Sequence, residues 1–136
     1  MPTAADLAAI PLLAQLTPEA REALAPCFEV EQYTPGQRIV TQGDSGYDFF
    51  VVSEGRAAVS HGDRQLGYLE QGDYFGEMAI MGGDGRRTAT VTAVSPVVAW
   101  TLFGISFRNL QISEPGVAEE LERAMQQRAS EQQLPG

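Results

Sequence analysis

Cysteine and histidine occur once each, as Cys27 and His61. A single thiol excludes an internal disulfide and a thiolate metal site, and a single imidazole excludes a multi-histidine metal centre. His61 lies in a turn, His61-Gly62-Asp63, with no serine or cysteine motif beside it, so no nucleophile–base pair is visible. Positive charge is the next shortage. Nine basic residues stand against 18 acidic ones, a formal net charge of −9. Apart from the pair Arg86-Arg87 the basic residues are scattered singly, whereas a nucleic-acid surface should be basic because phosphate contacts dominate that affinity. Long apolar runs are missing too, and none approaches the ~20 residues needed to cross a bilayer. The opening MPTAADLAAIPLLAQL has no basic residues ahead of its apolar part and carries Asp6, so it does not read as a secretory signal. Together these absences predict a cytoplasmic, non-catalytic protein with no nucleic-acid partner and no membrane insertion.

What is present suffices for one domain. The chain has 136 residues, 43% of them hydrophobic, and a chain of this length buries roughly two thirds of its unfolded surface. Residues 4–10 have the composition of a short helix, stopped by Pro11. Thr17-Pro18-Glu19 is a helix start, with a capping hydroxyl, proline at the first helical position and an acid facing the dipole. That helix is expected to end before Pro26. From Phe28 the period switches to two, with Phe28, Val30 and Gln32 on the buried side of a half-buried strand. Further strands are expected over 38–41, 48–53, 56–60, 64–69, 88–93 and 97–102, divided by turn chemistry at Thr34-Pro35-Gly36, Gly43-Asp44-Ser45-Gly46, Glu54-Gly55 and His61-Gly62-Asp63. Glu54-Gly55 is the expected tight turn of a hairpin. Ser106 is placed to cap a short helix to about residue 112, and Ser113-Glu114-Pro115 opens a longer one to about 129. The division is therefore an N-terminal helical segment (1–27), a β unit (28–103), C-terminal helices (104–130) and a tail (131–136). Short strands with turns every eight to twelve residues mean a sandwich or barrel. Core is expected from Phe49, Phe50, Phe75 and Trp100.

The chemistry is concentrated in residues 75–93, FGEMAIMGGDGRRTATVTA. Gly76 lets backbone approach a ligand closely. Glu77, acceptor-only when ionised, suits a pair of sugar hydroxyls. The run 78–81, Met78 and Ala79 included, is long enough for one helical turn with free N–H groups aimed at an anion. Arg87 supplies a fixed cationic fork that matches phosphate. Period-two alternation would send Arg86 to the other side of the backbone, as a surface residue. The order suits a cradle for a small phosphate-bearing ligand.

The pattern Phe75-Gly76-Glu77, a short apolar run, a variable loop and Arg87-Thr88-Ala89-Thr90 resembles the phosphate-binding cassette of the cyclic-nucleotide-binding domain family. Both ends and the spacing match. The likeness extends through Pro35-Gly36, Gln42-Gly43-Asp44, 49–52 and Gly55, nearly the whole chain. It implies a mainly β, jelly-roll-like β-roll with N-terminal helices, a short cassette helix and two C-terminal helices, similar to bacterial stand-alone and channel or regulator members. It implies cAMP or cGMP as ligand and no further cofactor. Glu77 would hold the ribose 2′-hydroxyl, Arg87 the cyclic phosphate, and the backbone at Ala79 and Ala89 the remaining phosphate oxygens. Thr88 would touch phosphate or base; a strand threonine is the alternative. Val52 and Leu69 are candidates for the base. The long helix places Val117, Leu121 and Ala124 or Met125 on one stripe, with Arg128 on that stripe and Arg123 opposite. In channel-type relatives an arginine matching Arg128 closes over the purine; a solvated helix-end arginine is the alternative. Two departures stand out: Arg86 replaces the commoner proline, and Gly82-Gly83-Asp84-Gly85 makes the loop glycine-rich. The resemblance implies a sensor that relays binding through its C-terminal helix to a protein partner or to another copy. A structural module with little nucleotide binding is the alternative.

Overall fold

Three short helices open the chain, and the residue before each explains where it starts. In this computed structural model, which describes residues 1–77, 80 and 86–131, helix α1 (Ala4–Ala8) begins in a capping box formed by Thr3 and Asp6. Pro11 starts α2 (Pro11–Ala14) rather than only ending α1, because its missing N–H costs nothing at a first helical position. Thr17 caps α3 (Pro18–Leu24) through its hydroxyl, which accepts from the Ala20 N–H at 3.2 Å. A 3-10 turn, Ala25–Cys27, follows in place of a clean stop.

Eight strands follow among the described residues: β1 (Glu29–Tyr33), β2 (Arg38–Val40), β3 (Phe49–Glu54), β4 (Ala57–His61), β5 (Arg64–Leu69), β6 (Tyr74–Phe75), β7 (Thr90–Ala93) and β8 (Val97–Leu102). They form two four-stranded antiparallel sheets, ordered β1-β8-β3-β6 and β2-β7-β4-β5. Helices α4 (Gly104–Ser113) and α5 (Pro115–Glu131) close the chain. The expected mainly β roll with flanking helices is the observed architecture. Of the cassette helix, Ile80 is helical and its N–H reaches the Glu77 carbonyl at 2.9 Å; Met78, Ala79 and 81–85 lie outside the described residues.

Strand β3 is the wall of the molecule. Its run Phe49-Phe50-Val51-Val52 is buried throughout, as a strand covered on both faces must be. Phe49 and Val51 join the leucines of α1 to α3, Trp100, and Leu121 and Met125 of α5 in one core. Phe50 and Val52 turn the other way, into the roll, beside Ala57, Phe75 and Val91. The stripe of α5 therefore packs on the helical core and the outer face of β3, with Leu121 fully buried.

Several expectations are corrected. Strands β3 and β4 do not form a hairpin: both edges of β3 are taken, by β8 and β6, so the chain crosses at Gly55 to the second sheet. In β1, Glu31 and Tyr33 hold the more buried side while Val30 is 41% exposed. A polar pairing reverses the face, since the Glu31 carboxylate accepts from Thr101 Oγ1 at 2.6 Å and from Tyr33 Oη at 3.2 Å. Ser106 is not the cap of α4. Phe103 holds that position without a side-chain bond, and the Asp48 carboxylate accepts from the Gly104 N–H at 3.2 Å instead. Strand β7 begins at Thr90, two residues later than expected.

Candidate functional site

The turn after β2 and the segment before β7 are stitched together by backbone. Gly43 N–H donates to the Arg87 carbonyl at 2.9 Å, Arg87 N–H donates to the Asp44 carbonyl at 2.8 Å, and Ser45 and Arg86 form an isolated antiparallel bridge. This ladder fixes where the side chain of Arg87 emerges. The guanidinium is half-buried, its Nη1 donates to the Asp48 carbonyl at 3.1 Å, and it lies 5.6 Å from the centre of the Phe50 ring. Burial lowers its pKa, while the carboxylates of Asp48 and Glu77 push the other way; an arginine stays charged regardless.

Two glycines make the seat. A Cβ on residue 46 would stand 2.2 Å from Arg87 Nε, and one on residue 76 would stand 2.5 Å from the Asp48 carbonyl oxygen and 2.9 Å from Arg87 Nη1. Gly76 also adopts φ +78°, a conformation that penalises any side chain. Within the protein itself, Gly76 is approached closely by the arginine and by backbone.

Beside this seat is a cavity of about 260 Å³, near the roughly 300 Å³ at which small-molecule sites begin. Its polar lining is Glu77, Arg86, Arg87 and Thr88, and its apolar lining includes Val40, Val59, Leu69 and Val91. Such a division suits a ligand with an anionic, hydroxyl-bearing end and a flat apolar end.

Of the residues singled out in the sequence, Leu69, Gly76, Glu77, Arg87, Thr88 and Ala89 line this one cavity. Val52 does not. It is fully buried in the cluster with Phe50 and Phe75. Arg128 is not in the lining either; its positive charge acts on the hydroxyl of Tyr74, and its Nε is buried without a partner among the described residues. Tyr74 does line the cavity, and its hydroxyl pKa is raised by burial, with Arg128 acting in the opposite sense and Glu77 in the same one. Met78 and Ala79 lie outside the described residues, as does the loop 82–85.

Sequence reasoning missed Gly46, Asp48, Tyr74 and Arg86. Gly46 had a signal, but it was hidden in a turn that explains glycine equally well. Asp48 and Tyr74 act through a carbonyl and a strand too short to show a period. Alternation sends Arg86 to the surface and it is exposed, but it also lines the cavity, from a bridged segment that precedes β7.

The family model for the cyclic nucleotide-binding domain matches residues 30–113. The cAMP-dependent protein kinase regulatory subunit of Hypocrea atroviridis is 36% identical over 101 residues, covering 74% of this chain and 22% of that protein. The cGMP-dependent protein kinase, isozyme 1, of Drosophila melanogaster is 34% identical over 138 residues, covering 92% of this chain and 18% of that protein. The chain thus spans about a fifth of the length of these relatives. Among solved structures, the N-terminal domain of a transcriptional regulator from Streptomyces coelicolor A3(2) superposes with a TM-score of 0.79 at 26% identity, covering 93% of both chains.

Proposed function

Because this chain belongs to the cyclic nucleotide-binding domain family, we propose that it binds cAMP or cGMP without transforming it, as a regulatory sensor. The observation that carries this is the seat of Arg87. Two missing side chains, a backbone carbonyl and an aromatic face hold one guanidinium beside Glu77 in a cavity whose remainder is largely apolar. Arg87 pairs with the cyclic phosphate, Glu77 accepts from the ribose hydroxyl, Gly76, Thr88 and Ala89 border the phosphate end, and Leu69 meets the base. Capture and release are the activity in this reading, and the described lining offers no nucleophile–base pair.

Output passes through α5 to a protein partner or to another copy of the chain. The support is the charge of Arg128 acting on the Tyr74 hydroxyl, which couples the last turn of α5 to a residue of the cavity. Arg128 acts there as a latch on the cavity wall.

The test is calorimetric titration with cAMP and cGMP on the wild type and on Arg87→Ala. Saturable binding by the wild type is expected, with affinity falling some thirty- to several-thousandfold in the variant, since a phosphate loses its buried partner at roughly 2–5 kcal/mol. Saturation at ~100 times the dissociation constant should stabilise the fold by ~2.7 kcal/mol. No stabilisation of the wild type by millimolar nucleotide overturns the reading.

A further inference from the structure

We propose that His61 is a positioning residue of the cavity: its ring turns the peptide between Thr88 and Ala89 so that the Ala89 N–H faces the phosphate of the bound nucleotide. The inference rests on the cyclic-nucleotide reading above and gives that site a residue from outside its lining. Regular backbone pairing stops on either side of this peptide. Upstream, both backbone groups of Arg87 are held, its N–H by the Asp44 carbonyl and its carbonyl by the Gly43 N–H. Downstream, β7 begins at Thr90, which pairs with Ser60 in the last step of the ladder between β7 and β4. Thr88 and Ala89 form a bend between these two anchors, and both line the cavity.

His61, the residue after Ser60, continues the pairing with its side chain. Its Nδ1 lies 3.0 Å from the Thr88 carbonyl oxygen. A carbonyl only accepts, so the ring nitrogen facing it carries the proton, whether the imidazole is neutral or charged. The backbone that carries the ring is fixed alongside. Gly62 N–H donates to Gln42 Oε1 at 2.8 Å, and Gln42 N–H donates to Thr90 Oγ1 at 2.9 Å. The turn after β4, the segment after β2 and the start of β7 thus hold one another. A trans peptide is planar, with its C=O and N–H on opposite edges. His61 lies outside the cavity lining, so a Thr88 carbonyl held against it sends the Ala89 N–H the other way, toward the space that Ala89 lines. A donor already aimed at an anion needs no reorganisation when the anion arrives, and a hydrogen bond to a charged acceptor is roughly twice as strong as a neutral one.

The experiment titrates the isotope-labelled full chain with cAMP and with cGMP, following the Ala89 amide by NMR and the dissociation constants by calorimetry. The proteins are the wild type, His61→Asn and His61→Leu. Asparagine offers an amide N–H close to where Nδ1 stands, and leucine has nearly the same shape without a donor. In the wild type and in His61→Asn the Ala89 amide proton should move downfield on binding, as a donor to phosphate does. In His61→Leu that shift should shrink and affinity should fall about five- to thirtyfold, the scale of a weakened hydrogen bond to a charged group. The melting temperature of free His61→Leu should stay within a few degrees of the wild type, because the bond it loses is exposed. Wild-type affinity in His61→Leu, equal losses in His61→Asn and His61→Leu, or an Ala89 amide that does not move when the wild type binds would each overturn the role of His61 and leave the sensor reading standing. Absence of nucleotide binding by the wild type overturns the sensor reading itself, and this role with it.

Discussion

Arg87 keeps its seat only while residue 46 has no side chain. A methyl group there would fall 2.2 Å from Nε, so Gly46→Ala should displace the guanidinium and weaken nucleotide binding by at least about thirtyfold, close to the loss of a buried charge partner. Gly46 does not have a positive φ, so alanine fits its backbone and the melting temperature should move by less than a few degrees. Calorimetry and thermal denaturation on the same variant separate the two effects; a large fall in stability would mean that the residue serves the fold instead. Glu77 and Arg87 were legible from their spacing because their chemistry lies in the side chain. Gly46 and the Asp48 carbonyl were not, because absence of a side chain and a main-chain oxygen leave no distinctive residue type. A second residue-scale effect is pH-dependent. Burial, with the Glu31 carboxylate beside it, pushes the Tyr33 hydroxyl up to about 12. Its folded pKa is above the ordinary value near 10, so its contribution is full below pH ~10 and is lost as the pH rises to about 12. Denaturant titrations across that window should show a steeper fall in stability for the wild type than for Tyr33→Phe.

At the level of elements, one carboxylate adds a polar link between the two ends of the chain, which already share the helical core. Glu120 of α5 accepts from the Thr17 N–H at 2.6 Å and from its hydroxyl at 3.3 Å, at the point where α3 begins. It satisfies a donor at the mouth of that helix, a task for which caps contribute about 0.5–2 kcal/mol; both bonds are exposed, which places the expectation near the lower end. Glu120→Ala should therefore lower the melting temperature by a few degrees. Its neighbour gives the contrast. Glu119 meets Arg123 at 4.0 Å on the open face of α5, and exposed pairs of that kind contribute little, so Glu119→Ala should be nearly silent. Equal effects in the two variants would sink the assignment. Helix starts were readable in the sequence wherever a cap and a proline coincide, as at Thr17-Pro18. The partner of β4 was not, because a turn motif specifies the bend and not which sheet has a free edge. Nor was the buried side of β1, where a hydrogen-bonded Glu31 and Thr101 outweigh the apolar Val30.

Across the whole molecule, β3 separates a helical core from the interior of the roll, and Tyr74 crosses that division. Its ring lies 5.7 Å from that of Phe49 and packs on the helical core, while the residue also lines the cavity and its hydroxyl feels the charge of Arg128 at the last turn of α5. A ligand that shifts Tyr74 must therefore act on α5, and it can do so only by the difference in its affinity for the two arrangements. Tyr74→Phe removes the hydroxyl and keeps the ring, its packing and the charges of the cavity. Binding of cAMP or cGMP should consequently change by less than about threefold, because the ring and the charges that face the ligand are kept. The response of α5 should be lost. Hydrogen exchange over 115–131, followed with and without saturating nucleotide, reads that response directly. In the wild type the ligand should alter protection there, and in Tyr74→Phe the bound and free profiles should coincide. An undiminished change in the variant would show that the two halves are coupled by another route, and Phe49, which shares a wall with Phe50 beneath Arg87, would be the next residue to test.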